Sequence, residues 1–306
     1  MPIPCKVCDK AFDSDKGLHV HISRAHKIPL PEYYVNLYQR KDRYTNKLLS
    51  FKNKEEYFGR DFADEQNLMR WSKGADPDEV RSYLLQQLKQ RIDAKELSYG
   101  PTHLELRLHD LPSIDMYKDF FGSYSKACDK LKIKPLFGKN IMKGFFEKDK
   151  ALDSINILVD TREQQPLRFN KSTPMKLDFG DYAIGAPYYD YTYVDRKSES
   201  DFKSTMTTGF KRFTRELERT AQFDAYLFIV VESSIDKIKK NNLFGPHTSN
   251  MPYIWHNMRL LTHKFARQCQ FVFSGGRAAS QEIIPKLLVH GRKLWESDLQ
   301  HFIDKQ

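Results

Sequence analysis

The stretch from residue 155 to residue 201 limits what this chain can fold into more than any other. It opens on the apolar run Ile155-Asn156-Ile157-Leu158-Val159, which ends in Asp160-Thr161-Arg162-Glu163. Gly180-Asp181-Tyr182 follows, then Val194-Asp195-Arg196-Lys197, with Asp201 four residues beyond the lysine. A short apolar run with β-branched residues reads as a buried strand, so Asp160 sits where that strand leaves the core. Tyr189 to Lys197, rich in Tyr, Thr and Val, reads as a second strand. Residues two apart on a strand share a face, which puts the Asp195 carboxylate and the Lys197 ammonium side by side. Asp181, at the start of its own strand, supplies a second carboxylate. Carboxylates converging beside a lysine suit a hard cation such as Mg2+ or Mn2+, with Asp160, Asp181 and Asp195 as ligands. Such an ion polarises a phosphodiester and acidifies water, and Lys197 can orient that water or offset charge on the phosphate. A lone D-x-K is commonplace on a solvated strand; here four elements stand in order.

That order, V-D-x-R-E, then G-D-Y, then D-R-K, then x3-D, resembles the nuclease domain of the XPF-type family, within the PD-(D/E)xK group of metal-dependent DNA nucleases. The resemblance covers about residues 153 to 290. It implies an α/β restriction-endonuclease-like core, a mixed sheet flanked by helices, that hydrolyses DNA phosphodiester bonds. It further implies that Glu163 ligates metal directly or through water, and that Arg162 and Arg196 hold the motif or the scissile phosphate. Asp201 closes the pattern and either touches the site or caps the following helix. Asp195 stands where the family usually has Glu, one methylene longer. No tandem helix-hairpin-helix is read after the nuclease domain, so the family's usual heterodimer and junction preference are not carried over.

At the other end, Cys5 and Cys8 are two residues apart, His21 and His26 four, with twelve between the pairs. This is zinc-binding spacing, and Phe12 and Leu18 fall where a ββα finger places its core. The segment resembles a Cys2His2 zinc finger, and one this small folds only with Zn2+ bound. With His21 as helix position 7, the base-reading positions are Ser14, Gly17 and Val20, a poor set for direct readout. Shape or backbone contact is expected, with Lys16, Arg24 and Lys27 on phosphates; a protein-contacting finger is the alternative.

Between the two, Val80 to Ala94 has a helical apolar stripe behind an Asp76-Pro77 start. Residues 100 to 133 carry Gly100-Pro101-Thr102, Leu111-Pro112-Ser113, Tyr117 and Phe121-Gly122-Ser123-Tyr124, then a helical Ala127 to Leu131. The order is similar to the small helical repeat that accompanies homing endonucleases, with Tyr124 for the commoner Trp and no closing Ala-Gly. That likeness implies a helix-turn-helix-like DNA-binding module with Lys118, Lys126 and Lys130 on phosphates, although lysines on a solvated helix face need no such role. The expected organisation is a zinc finger over 1–28, a helical connecting region over 29–98, the helical repeat over 99–135, a linker over 136–152 and the nuclease domain over 153–306.

After Lys197 the spacing of Phe202, Met206, Phe210, Phe213 and Leu217 predicts one helix over 198–222, with Lys211, Arg212 and Arg215 off the stripe toward DNA. Ala225 to Glu232 predicts a central parallel strand, a helix and a strand follow, and a last helix over 279–299 is interrupted at Pro285. The net charge of +10 is spread over both halves and fits a polyanionic partner. No run approaches a membrane span, and four cysteines point to a reducing compartment: cytoplasmic in a bacterial or phage-infected host, nuclear in a eukaryote. The expectation is a metal-dependent endonuclease of a phage or mobile element, homing-like, acting on double-stranded or branched DNA, with a homo-oligomer open. The alternatives are a repair nuclease for flapped or branched DNA and an inactive DNA-binding scaffold.

Overall fold

The computed structural model describes residues 2–37, 40–41, 48–49, 65–147, 149–185, 189–244 and 249–306. The chain divides into two compact units, Met1–Trp71 and Ser72–Gln306. Part of the connecting region expected over 29–98 lies outside the described residues.

In the first unit, β1 (Ile3–Pro4) and β2 (Ala11–Phe12) form an antiparallel hairpin followed by the helix Asp15–His21. Ser14 caps that helix by accepting the Gly17 N–H. A wider, π-helical turn over Ile22–His26 carries it on, which brings His26 round to His21 across the four-residue spacing. The helix Leu30–Leu37 packs back: Tyr33 is buried with Cys5, Leu18 and Ile22, and its hydroxyl accepts the Lys6 N–H. The core around Cys5 thus runs on past residue 28. Two short strands, β3 (Arg40–Lys41) and β4 (Leu48–Leu49), pair antiparallel beyond it.

The second unit is built on a six-stranded sheet: β5 (Ile157–Asp160), β6 (Ser172–Met175), β7 (Tyr182–Ile184), β8 (Thr192–Lys197), β9 (Tyr226–Val231) and β10 (Cys269–Phe273). The order is β10-β9-β8-β7-β5-β6, with β7 antiparallel to both neighbours and the other pairings parallel. The sheet is mixed and mostly parallel, as the strand-helix alternation implies. β9 is buried on both faces, the mark of a central parallel strand. Alternation splits its neighbours between two cores. Tyr193, Leu227, Ile229 and Val231 face one layer with Phe202, Phe213, Trp255 and Leu261; Val194, Phe228, Val230 and Val272 face the other with Ile284, Leu287 and Leu294.

Three expectations shift here. The helix expected over 198–222 is two, Glu199–Thr205 and Phe210–Gln222. The hydroxyls of Thr207 and Thr208 bond back to the Ser204 carbonyl, and buried Asn257 donates to the Met206 carbonyl, so the intervening backbone is satisfied without helix. The last long helix, Arg277–His290, runs through Pro285 and stops at Gly291. There the Asp190 carboxylate lies where any Cβ would stand. The segment expected as a linker over 136–152 packs on the core instead, Phe145 buried beside Ile157 and Leu287.

The helices Pro77–Lys95, His103–Leu108, Ile114–Phe121 and Tyr124–Lys130 belong to this same unit. The G-P-T, L-P-S and G-S pieces of the sequence pattern supply its caps: Thr102, Ser113 and Ser123 accept the N–H groups of Glu105, Met116 and Lys126. Leu104 and Leu108 enter the core beside Trp255, and the His103 N–H donates to Asp298 at 2.7 Å. Buried Glu105 accepts from Arg91 at 2.9 Å and pairs with His263 at 3.2 Å. The helical module is therefore welded to the sheet layer, not strung on a linker.

Candidate active site

The C-terminal ends of β5 and β8 and the start of β7 meet at one end of the sheet. Gly180 makes this possible. It takes φ +58°, and a Cβ there would lie 2.7 Å from the Val194 carbonyl oxygen, so only glycine lets β7 start this close to β8. Asp181 is then pinned by its backbone to Val194 O and Asp160 N at 2.8 Å each. Its Oδ2 accepts the Arg196 N–H at 2.7 Å, and among the described residues nothing donates to Oδ1.

Asp195 and Lys197 share a face, as strand alternation requires. The ammonium lies 2.8 and 3.1 Å from the two Asp195 oxygens and 5.1 Å from the centre of the Phe213 ring. Burial works against the Lys197 charge, but the carboxylate of Asp195 outweighs it and the pKa stands above the ordinary lysine value. Burial, then the neighbouring Asp195 charge, pushes the Asp181 carboxyl up to about 8. Glu216 is raised by the same two causes in the same order. It lies on Phe210–Gln222, three residues beyond Phe213 and so on the same side of the helix.

Asp160 is on this face too, but its oxygens are spoken for. Oδ1 accepts the Arg162 N–H and Nε, both at 2.7 Å; Oδ2 accepts Arg162 Nη2 at 2.9 Å and the Leu177 N–H at 2.8 Å. The Arg162 hydrogen bonds, ahead of the other causes, hold its pKa down at about 2. The carboxylate expected to ligate metal here folds the turn after β5, and Arg162 is bound into that turn.

Glu163 and Arg196 face the opposite side of the sheet, which the sequence pattern alone does not reveal. Arg196 Nη2 lies 3.1 Å from Glu163 Oε1 and 2.9 Å from the Gln165 carbonyl, and Nη1 lies 2.8 Å from Glu232 Oε2. Arg196, expected to hold the motif or the scissile phosphate, and Glu163, expected to ligate metal directly or through water, are engaged with each other behind the sheet. Asp201 is exposed and caps its helix with Ser198: the Ser198 hydroxyl donates to Asp201 Oδ2 at 2.6 Å and accepts the Asp201 N–H at 3.1 Å.

In the other unit, one ligand atom from each of Cys5, Cys8, His21 and His26 lies within 4.8 Å of the others. The Cys5–His26, Cys8–His21 and His21–His26 ligand distances are 3.5, 3.2 and 3.1 Å. Bonds of about 2.3 Å to sulfur and 2.0 Å to nitrogen in a tetrahedron give edges of this size, so the four residues fit zinc. Burial opposes the Cys5 thiolate, yet the Val7 and Cys8 N–H groups prevail and lower its pKa. Lys16, Arg24, Lys27, Lys118, Lys126, Lys130, Lys211, Arg212 and Arg215 are all exposed, as phosphate contacts must be.

No family model matches the chain, and no curated protein does. Among solved structures it is similar to XPF from Aeropyrum pernix, at 19% identity and a TM-score of 0.35 over 45% of this chain and 67% of that one. The same protein in complex with DNA gives 20% identity and 0.35 over 45% and 66%. At that score the likeness carries no functional weight, and the geometry has to supply it. Sequence reasoning missed Glu216, Glu232 and Arg277. Glu216 had a signal, one residue before core Leu217 and three after Phe213. Glu232 had another, at the carboxyl end of a central parallel strand, where sites gather in open α/β sheets. Arg277 had none, because only the tertiary fold brings its helix to the back of β8.

Proposed function

We propose that this chain is a divalent-metal-dependent DNA endonuclease, with Asp181 and Asp195 as the protein ligands of Mg2+ or Mn2+. The observation that carries the reading is the pair itself. Burial, and after it the charge of Asp195, lifts Asp181 to about 8, and one Asp181 oxygen is unclaimed among the described residues. A hard cation relieves the repulsion of the pair, and two carboxylates leave room for the waters and phosphate oxygens that complete a Mg2+ octahedron. When bound, the ion supplies Lewis acidity toward the phosphodiester and a lowered water pKa.

The chain's own groups do the rest. Lys197 stays charged and fixed between Asp195 and Phe213, where it offsets negative charge growing on the phosphate. Asp160 and Arg162 hold the turn after β5. Asp201 and Ser198 fix the start of the helix that carries Phe202 into the core. Lys211, Arg212 and Arg215 continue along the exposed side of the next helix as phosphate contacts. A zinc-binding finger and a capped helical module on the same chain favour delivery to chosen DNA sites, and the finer reading is a homing-like nuclease of a mobile element.

The test is cleavage of supercoiled plasmid and of a labelled flap duplex in Mg2+, Mn2+ and EDTA. Wild type cuts only with metal, and Asp181→Asn and Lys197→Met each lose at least about 100-fold, the scale of one electrostatic contact. Preference for the flap at matched sequence would replace the homing-like reading with a repair-like one. DNA binding without metal-dependent cleavage of either substrate would sink the nuclease reading.

A further inference from the structure

Behind the sheet, four charged side chains cluster in a group that the metal-side reading leaves unused. Arg196, Glu163 and Glu232 are only 8, 10 and 11% exposed. One guanidinium against two buried carboxylates leaves an excess negative charge, which is costly in a dry site. Arg277, at the first position of the helix Arg277–His290, supplies the missing charge: its Nη1 lies 3.6 Å from Glu232 Oε1. Its Nη2 donates to the carbonyls of Gln165 and Pro166 at 2.9 and 3.0 Å. The Gln165 carbonyl therefore receives both arginines, since Arg196 Nη2 also reaches it at 2.9 Å.

Three of the four touch the candidate active site through their backbones. The Arg196 N–H donates to Asp181 Oδ2 at 2.7 Å, the Glu232 N–H to the Lys197 carbonyl at 2.8 Å, and the Glu163 N–H to the Asp160 carbonyl at 3.1 Å. Arg196, Glu232 and Glu163 thus each have their charge on one face and their amide on the edge that carries Asp160, Asp181 and Lys197. In a strand the Cα–Cβ bond and the N–H of a residue are both set by its φ/ψ, so a pull on a guanidinium held at both ends, beyond what its χ angles absorb, is passed to its own amide.

We infer that Arg277 and Glu232 are positioning residues for the metal-side carboxylates, acting through Arg196 across the thickness of the sheet. Neither touches the reacting atoms. Arg277 neutralises the set and pins the 162–166 loop; Glu232 fixes the plane of the Arg196 guanidinium; Arg196 fixes the oxygen that Asp181 presents. Without Arg277, the uncompensated carboxylate draws the Arg196 guanidinium away from Glu163, and the pull on β8 at Arg196 loosens the N–H that holds Asp181 Oδ2. The role of the carboxylates as metal ligands comes from the nuclease reading; the mechanical coupling does not.

Hydrogen exchange followed by mass spectrometry tests the coupling in the full chain, on wild type, Arg277→Ala, Arg277→Lys and Glu232→Gln, with melting temperatures to confirm folding. Arg277→Ala should speed exchange about tenfold or more in peptides covering 161–167 and 194–198, and leave the central strand 226–231 unchanged. Arg277→Lys, which keeps the charge but not the fork, should fall between. Mn2+ affinity, read by electron paramagnetic resonance, should drop at least fivefold in Arg277→Ala and Glu232→Gln, with DNA affinity in EDTA unaltered. Exchange in 194–198 that stays at the wild-type rate in a folded Arg277→Ala protein overturns the inference. So does weaker DNA binding as the sole effect, which would make Arg277 a phosphate contact. If wild type neither binds Mn2+ nor cuts DNA, the nuclease reading falls, and the exchange comparison still decides the coupling.

Discussion

Replacing Gly180 by alanine separates two costs that are usually merged. The residue has φ +58°, and an alanine in left-handed backbone costs roughly 1–2 kcal/mol. Its Cβ would also stand 2.7 Å from the Val194 carbonyl oxygen, 3.0 Å from the Val194 carbonyl carbon and 2.9 Å from Leu227 Cδ1. Two of those atoms are backbone, so β8 must move, and overpacking of this kind adds about 1–3 kcal/mol. Gly275 is the control, because it has φ +93° with nothing within 4 Å of a built Cβ. Gly275→Ala should therefore cost roughly 1–2 kcal/mol and Gly180→Ala roughly 2–5, a melting-temperature drop of roughly 5–15 °C for a unit of this size. The assay is thermal and urea unfolding of both variants, followed by metal-dependent cleavage below the transition. Because the shifted strand carries Asp195, cleavage by Gly180→Ala should fall at least tenfold while Gly275→Ala keeps its rate. Equal destabilisation of the two would refute the argument that close approach of β8 is what demands glycine at 180.

Zinc removal should unfold the finger and leave Ser72–Gln306 standing: Cys8→Ser or a strong chelator should abolish its helical signal and expose Tyr33, while the main melting transition stays in place. Stability should also carry a histidine signature in pH. Burial, then nearby positive charge, holds His301 down at about 4, against about 6.5 in an unfolded chain. The unfolded chain binds more protons between those values, so the His301 contribution is lost as pH falls from about 6.5 to 4. In urea titrations, a His301→Gln variant should lose less stability than wild type over that window. Asp181 works with the opposite sign: its native carboxyl keeps a proton up to about 8, so it costs stability as pH rises from about 4 to 8 without added Mg2+ or Mn2+. Asp181→Asn should remove that slope, and a slope unchanged by the substitution would mean the carboxyl is already ionised at neutral pH.

Much of this protein is legible in its sequence, because local chemistry leaves local marks. The Cys-x2-Cys and His-x4-His spacing gives the Cys/His cluster, since metal ligation needs those atoms at that reach. Thr102, Ser113 and Ser123 mark helix starts, as their side chains replace the N–H partners a helix end lacks. The apolar run 225–232 gives a central strand, and the D-x-K spacing puts Asp195 beside Lys197, since strand period is fixed at two. The same period determines that Arg196 must turn its back on them, yet a motif written as consecutive letters hides it.

What the tertiary structure alone decided is which partner each charge meets. Asp160 and Asp181 are both aspartates at strand ends. One spends its oxygens on Arg162 and Leu177, while the other keeps one unclaimed among the described residues beside Asp195. Arg277, 81 positions after Arg196, becomes its companion only because the helix Arg277–His290 packs on the face of β8 that carries Val194. Spacing along the chain dictates which residues share an element and a face. Long-range packing dictates which faces meet, and the competition of neighbours for each carboxylate oxygen is settled there.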